Sequence, residues 1–377
     1  MKLSVPVAFG VEASVKRQLR QLGYGDCPAL QGRIRLNGDW LDVARLNINL
    51  RAGERVLVEL AEFPAPDFDA LFDGVYSIPW EEYIGADFRI LMDGKCVNSR
   101  LMAIKTSGGI AKKAIVERLR AKSGIHTLSE RGARIVVGVF IVNDMASITL
   151  DTTGDGLHKR GYRIKTYSAP LRETTAAAMI ESSFFRAGKP FADVFCGSGT
   201  IPIEAALYMR NIAPGKHRSF DFVQWMHVPE VIRIAREEAC DQENHGQIPP
   251  ICASDISGDA IEIAKFHAAR AGIGTDIRFF TRDMRMFSSD ERCGVLISNP
   301  PYGERLKAHL PELYRDFGKM YRRLPDWSCY FLSGYDGAPR AFGGRPDKMR
   351  RMWNAGIPCT LYSYYGAPPS EKTESNA

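Results

Sequence analysis

From about residue 170 the sequence alternates short apolar runs with helical stretches, and no other feature constrains the fold as strongly. The runs are "FADVFCGS", "PPICASDIS", "DIRFFTRDM", "CGVLISNPP" and "WSCYFLSGY". Near-continuous apolar character marks strands buried on both faces, and the intervening helices supply the cover. A parallel α/β sheet is therefore expected. The late stretch "RMWNAGIPCTLYSYYG" reads as a closing hairpin around Asn354, Ala355 and Gly356.

The first run leads into a glycine turn. "FADVFCGSGTIPIEAAL" reads as strand, turn and helix, with Gly197, Ser198 and Gly199 in the turn. Glycine lets a backbone approach a ligand closely, and the following helix N-terminus favours negative charge. A dinucleotide site would carry G-x-G-x-x-G with room for a pyrophosphate. Here Pro202 takes the third glycine's place, Asp193 lies just before the loop, and a Walker lysine is missing. An acid beside a glycine turn suits a cofactor with a cationic amine, such as S-adenosylmethionine. A tight strand–helix turn without a ligand is the plain alternative. The second strand ends on Asp255, placed to bond a ribose diol, and the third on Asp283, placed to accept from an adenine amine. Each acid alone would also serve as a helix N-cap. Three acidic strand ends in order favour a ligand, because open α/β sheets bind ligands at that edge.

The fourth strand runs into "SNPPYGERL". Pro300 and Pro301 cannot donate backbone hydrogen bonds and hold the chain extended, leaving carbonyls as acceptors. Asn299 adds a side-chain acceptor. A planar amine with two N–H donors would sit between the Asn299 oxygen and the Pro300 carbonyl, with Tyr302 stacked on its ring. Such a site works by positioning and electrostatics rather than covalent chemistry. A tight turn closing a strand is the alternative.

Upstream, the 377-residue chain reads as two smaller α/β units. In residues 1–60, "SVPVAFG" and "GRIRLNG" read as strands, and "VEASVKRQLRQLG" as a helix ended by Gly23. In residues 61–155, "DFRILMDG" is a strand. "GIAKKAIVERLRAKSG" is a helix burying Ile110, Ala114, Ile115 and Leu119, and two further strands meet at Asn143 and Asp144. A linker over 156–169, a sheet domain over 170–366 and a disordered tail over 367–377 complete the organisation. The net charge of +6 is mild, but between Asp87 and Arg134 eleven Lys or Arg stand against four Asp or Glu. "HKRGYRIK" adds a second basic cluster. This suits a polyanionic partner, with Lys112, Lys113, Arg118, His158, Lys159, Arg160 and Arg163 as candidate contacts; solvated faces are the alternative. No apolar run reaches about 18 residues and the first residues lack a signal-peptide pattern, so no membrane span is expected. Eight cysteines form no C-x-x-C pair, so neither a zinc site nor a disulfide framework is expected, and a reducing cytoplasm fits.

"LDTTGDGLHKRGYR", "APLRETTAAAMI", "DVFCGSGTIPIEAA", "SNPPYGERL" and "KMRRMWNAGIPCTLYSYY" run in order along nearly the whole chain. Together they resemble the THUMP-domain RNA guanine-N2 methyltransferases, close to the bacterial type that modifies 23S ribosomal RNA. The resemblance implies a ferredoxin-like domain, a THUMP RNA-binding domain and a Rossmann-like S-adenosylmethionine methyltransferase domain. It implies that Asp193, Phe195, Gly197, Ser198, Gly199 and Thr200 line the methionine end of the cofactor. Asp255 and Ile256 would hold the ribose, Asp283 the adenine, and Leu171, Glu173 and Thr174 would cover it. Asn299, Pro300, Pro301 and Tyr302 would hold the target guanine.

Other acceptors stay open on the residues alone: tRNA, a DNA amine, or an inert domain in an RNA-binding assembly factor. Cys196 is read as packing, because carbon methylation would place its nucleophile in the acceptor motif. Glu304 and Arg305 would order the loop or touch phosphate. Phe220, Phe222 and Trp225, in the long stretch between Glu204 and Asp255, are read as core in preference to a substrate surface.

Overall fold

The computed structural model describes residues 1–30, 32–85, 88–124, 131–165, 171–225, 229–302, 309–354 and 356–367. The chain divides into two compact units that interleave in sequence. One holds Met1–Val7, Leu19–Leu157 and Gly215–Asp241; the other holds Ala8–Gln18, His158–Pro214 and Gln242–Ala377. Among the described residues no helix is long and apolar enough to cross a membrane.

The first unit is built on one seven-stranded sheet. Its strands are β1 (Lys2–Pro6), β2 (Ala29–Leu30), β3 (Arg33–Asn37), β4 (Leu57–Pro64), β5 (Phe88–Val97), β6 (Ala133–Val142) and β7 (Met145–Asp151). They lie in the order β2-β3-β1-β4-β7-β6-β5. The β6–β7 turn is the expected one. Asn143 and Asp144 have φ of +50° and +60°, the left-handed pair that a two-residue hairpin needs and that short polar side chains tolerate. Helix α1 (Glu12–Gln21), whose residues up to Gln18 belong to the second unit, stops before Gly23, as expected, with Gly23 at φ +92°. Helix α2 (Trp40–Asn49) starts on a reciprocal capping box between Asp39 and Asp42. Its Asn47 donates to Thr152 Oγ1 at 2.9 Å and accepts from Thr153 Oγ1 at 2.7 Å, which roots the "DTTG" stretch in the core. Helix α3 (Phe68–Tyr76) precedes the basic helix α4 (Ile104–Ser123). The latter begins earlier than its periodicity predicts, so Gly108 and Gly109 lie inside it. Its buried stripe is Ala111, Ala114, Ile115 and Leu119, with Ile110 only half-buried.

Residues Gly215–Asp241 fall between strands of the later sheet yet belong to this first unit. Phe220, Phe222 and Trp225 are all buried, and Trp225 meets Trp40 edge-on at 6.2 Å. Arg134 grips Asp221 with two bonds of 2.6 and 3.0 Å. Arg45 likewise grips Glu238 of α7 (Pro229–Asp241) at 2.7 and 2.6 Å. The three aromatics are core.

The second unit carries the α/β sheet. Strands β8 (Phe191–Asp193), β9 (Ile251–Asp255), β10 (Ile277–Thr281), β11 (Val295–Ser298) and β12 (Ser328–Ser333) are parallel. The closing hairpin is β13 (Lys348–Asn354) and β14 (Ile357–Tyr364), with β14 antiparallel to β12. The order is β10-β9-β8-β11-β12-β14-β13. The unit's helices are α5 (Glu173–Ser182), α6 (Thr200–Met209), α8 (Gly258–Arg270), α9 (Leu310–Tyr321) and α10 (Ala338–Phe342). Phe317, Trp327, Phe331 and Phe342 form a fully buried aromatic core there, each worth roughly 1.5–3 kcal/mol in burial. From β8 the chain builds outward through β9 and β10, then returns to place β11 on the other side. That reversal creates a switch point between β8 and β11, the place where open α/β sheets bind ligands.

Candidate active site

A side chain joins the two strand ends at the switch point. Ser298 closes β11. Its hydroxyl donates to Asp193 Oδ1 at 2.7 Å and accepts from the Val194 amide at 3.2 Å. The Phe195 amide also donates to Asp193 Oδ1, at 3.1 Å. Asp193 Oδ2 is buried without a hydrogen-bond partner among the described residues. Burial raises this carboxyl to about 7 against the pull of those hydrogen bonds, and Asp255 adds to the rise. A buried acceptor left alone is costly, and a cationic amine would satisfy it. The donor set therefore fits the cofactor suggested by the sequence.

The glycine loop follows. Gly197 and Gly199 have φ of +51° and +87°. A Cβ on Gly199 would come within 2.9 Å of Ala264 on α8, whereas one on Gly197 would meet open space. Gly199 thus serves close packing, and Gly197 leaves room for a ligand. Asp255 braces the loop, its Oδ2 accepting from the Gly197 amide at 2.9 Å, and its Oδ1 accepting from the Ser257 amide at 2.9 Å. Ser257, not Asp255, caps α8, so Asp255 is not there as a cap. Ser198 and Thr200 are buried, and the Ser198 carbonyl accepts from His267 Nδ1 at 3.1 Å. Cys196 is buried and its thiol is pushed well up by burial, so it stays protonated and is no nucleophile.

A cleft of about 300 Å³ opens beside the loop and is lined by Phe195, Asp255, Ile256, Asp283 and Met284, among others. Three predicted cofactor residues at successive strand ends, with the exposed Ile256, therefore meet in one cavity. Asp283 is partly committed elsewhere. It caps the turn Met284–Met286 and pairs with Arg285 at 2.6 and 3.0 Å, which holds its carboxyl below the usual range. The capping alternative is real here, and an adenine amine would share Asp283 with that arginine.

In the acceptor motif, Asn299 Oδ1 is buried and unpartnered among the described residues. Pro300 is buried and Pro301 exposed. The Tyr302 hydroxyl accepts from Asn354 Nδ2 at 2.9 Å, and its ring packs on Gly334, where a Cβ would come within 3.1 Å. Burial raises the Tyr302 phenol, so it stays neutral. Sequence reading missed two residues of this arrangement. Ser298 lay unassigned inside the quoted motif, and Asn354 stands some fifty residues away on the hairpin. Glu304 and Arg305 lie outside the described residues.

The basic linker requires correction. Arg160, expected at a phosphate, is turned inward: its side chain is 2% exposed and pairs with Glu204 at 3.4 Å. Tyr162 donates to the same Glu204 oxygen at 3.1 Å. Arg163 donates to the Leu171 carbonyl at 2.9 Å and to Glu173 at 3.1 Å. Leu171 and Glu173 are thereby held at the start of α5, and both are buried, as is Thr174. Burial raises Glu173 to about 7 despite the Arg163 charge. A desolvated carboxylate needs a cation beside it, and the linker supplies two. In the first unit Arg118 is held by Glu81 through bonds of 2.7 and 3.1 Å. His158 is lowered to about 4 by burial and by neighbouring cations, so it is neutral near pH 7. Lys112, Lys113 and Lys159 are exposed.

Three family models match the chain: the RlmL ferredoxin-like domain over residues 2–57, the THUMP domain over 65–151 and the RMKL-like methyltransferase domain over 160–363. YpsC of Bacillus subtilis, named as a candidate RNA methyltransferase, is 38% identical over 97% of both chains. The ribosomal RNA large subunit methyltransferase K/L of Magnetococcus marinus is 30% identical, over 98% of this chain but only 54% of that protein. SMU.472, a candidate methyltransferase crystallised in complex with SAH, superposes with a TM-score of 0.90 at 36% identity, covering 97% of this chain and 98% of that one. A Listeria monocytogenes protein described as a predicted N6-adenine-specific DNA methylase gives 0.92 at 39% identity, over 97% and 96%.

Proposed function

The chain belongs to the RMKL-like methyltransferase family, and on that premise we propose that it uses S-adenosylmethionine to methylate the exocyclic N2 amine of a guanine in RNA, with 23S ribosomal RNA in the cytoplasm as the substrate. One observation carries this reading. Among the described residues, the Asn299 carboxamide oxygen is a buried, unpartnered acceptor at the end of a strand whose neighbour ends on an equally orphaned Asp193 oxygen.

Asp193 would hold the cofactor's amine and Asp255 its ribose, with Ile256 and Asp283 at the adenine and Gly197, Ser198, Gly199 and Thr200 shaping the loop. Leu171, Glu173 and Thr174 would set the covering helix in place. The bound cofactor supplies an electrophilic methyl group. Asn299 Oδ1 and the Pro300 carbonyl accept the two N–H bonds of the target amine, which aims its lone pair and draws density out of those bonds. Tyr302, anchored by Asn354, offers the stacking face.

RNA as substrate is supported by the THUMP match, by the names of the relatives and by the exposed Lys112, Lys113 and Lys159. The choice of 23S RNA leans on the K/L relative, of which this chain spans about half. A DNA amine is the second reading, favoured by the description of the Listeria structure and by a motif that suits any exocyclic amine.

Labelled methyl transfer to total RNA and, in parallel, to DNA from cells lacking this gene, followed by nucleoside analysis, tests the proposal. N2-methylguanosine in large-subunit RNA is the expected product. Label in tRNA would move the substrate, and label only in DNA would replace the reading.

A further inference from the structure

Asn354 is 5% exposed and ends β13. Its amide nitrogen donates to the Tyr302 hydroxyl at 2.9 Å. Its oxygen is buried and has no hydrogen-bond partner among the described residues. An unpaired buried amide oxygen costs about 1–3 kcal/mol, more than holding a phenol requires. Tyr302 lies three residues beyond Asn299, whose side-chain oxygen is likewise buried and unpartnered among the described residues. Two side-chain acceptors, linked through the stacking tyrosine, therefore await donors.

The Watson–Crick edges of the bases answer this pattern differently. Guanine presents N1–H beside its N2 amine, two donors in a row. Adenine and cytosine present their amine beside a bare ring nitrogen, an acceptor that an amide oxygen repels. Resting on the guanine reading above, we propose that Asn354 is a base-selecting residue. Its oxygen accepts N1–H of the target guanine while Asn299 accepts from the N2 amine.

The test uses the RNA fragment in which the wild-type product is mapped, made once with guanine and once with 2-aminopurine at the target. 2-Aminopurine keeps the N2 amine but has a bare N1. The wild-type enzyme should prefer guanine about tenfold or more in kcat/KM, the worth of one buried hydrogen bond. Asn354→Ala should slow guanine and bring the preference close to one, with the affinity for S-adenosylhomocysteine unchanged. Asn354→Asp keeps an acceptor and can accept from Tyr302, so it should keep the preference; this variant serves if the alanine form does not fold. Equal slowing of both RNAs by Asn354→Ala would reduce Asn354 to a holder of Tyr302 and overturn the inference, leaving guanine methylation intact. Absence of a wild-type preference, or its loss in Asn354→Asp, would overturn it as well. Wild-type product on adenine or cytosine would instead show that the guanine reading itself had failed.

Discussion

Ser298 and Asp193 tie β11 to β8: the serine hydroxyl donates to the aspartate at 2.7 Å between the ends of two adjacent parallel strands. The same hydroxyl accepts from the Val194 amide, so it also holds the chain entering the glycine loop. One small side chain thus sets where Asp193 points relative to Asn299, its own neighbour in sequence.

Ser298→Ala should lower stability by about 1–3 kcal/mol, because it leaves a buried amide unpaired and removes a donor from a buried carboxylate. It should also weaken S-adenosylhomocysteine binding several-fold. Denaturant titration and calorimetry check the two effects separately. Full affinity in a destabilised variant would make the serine purely structural.

Asp193 and Glu173 predict a pH dependence. Both carboxyls lie near 7 in the folded chain, raised by burial, and return to about 4 when unfolded. Between those values the folded state binds more protons, so stability falls as pH rises from about 4 to about 7. Binding a cationic amine needs the Asp193 carboxylate, so affinity for S-adenosylhomocysteine should climb as pH passes upward through about 7. Asp193→Asn should flatten the affinity profile; a profile unchanged by that substitution would count against Asp193 as the amine's partner.

Asn299→Ala should cut methyl transfer by about a hundredfold or more while cofactor affinity stays the same. Single-turnover rates alongside calorimetry distinguish this from a damaged cofactor cleft, in which both would fall.

The two neighbouring basic residues of the linker should behave in opposite ways. Arg160→Ala strands Glu204 in the interior and should cost about 3–5 kcal/mol. Lys159→Ala, at an exposed position, should cost less stability than Arg160→Ala and should weaken RNA binding and its salt dependence. Unaltered RNA affinity would remove Lys159 from the contact surface.

Phe222→Ala should cost about 3–5 kcal/mol, since the ring is fully buried. The loss should fall on the first unit, read by hydrogen exchange in β6 and β7. Loss confined to β8–β12 would contradict the placement of Gly215–Asp241.

The sequence by itself determined the parallel sheet, the closing hairpin, the Asn143–Asp144 turn and the three acidic strand ends. Each depends on local periodicity or on a residue beside a strand terminus. Only the tertiary structure decided three other matters. Gly215–Asp241 lies inside the later domain's sequence, but its aromatics find their core in the first unit. Arg160 and Arg163 read as a basic surface, yet buried Glu204 and Glu173 draw them inward, because the cost of an unpaired buried carboxylate outweighs solvation of the arginines. Asn354 reaches Tyr302 only because β13 folds back beside β14, which pairs with β12. Side-chain partners far apart in the chain follow from packing, and packing is not written in any local stretch of sequence.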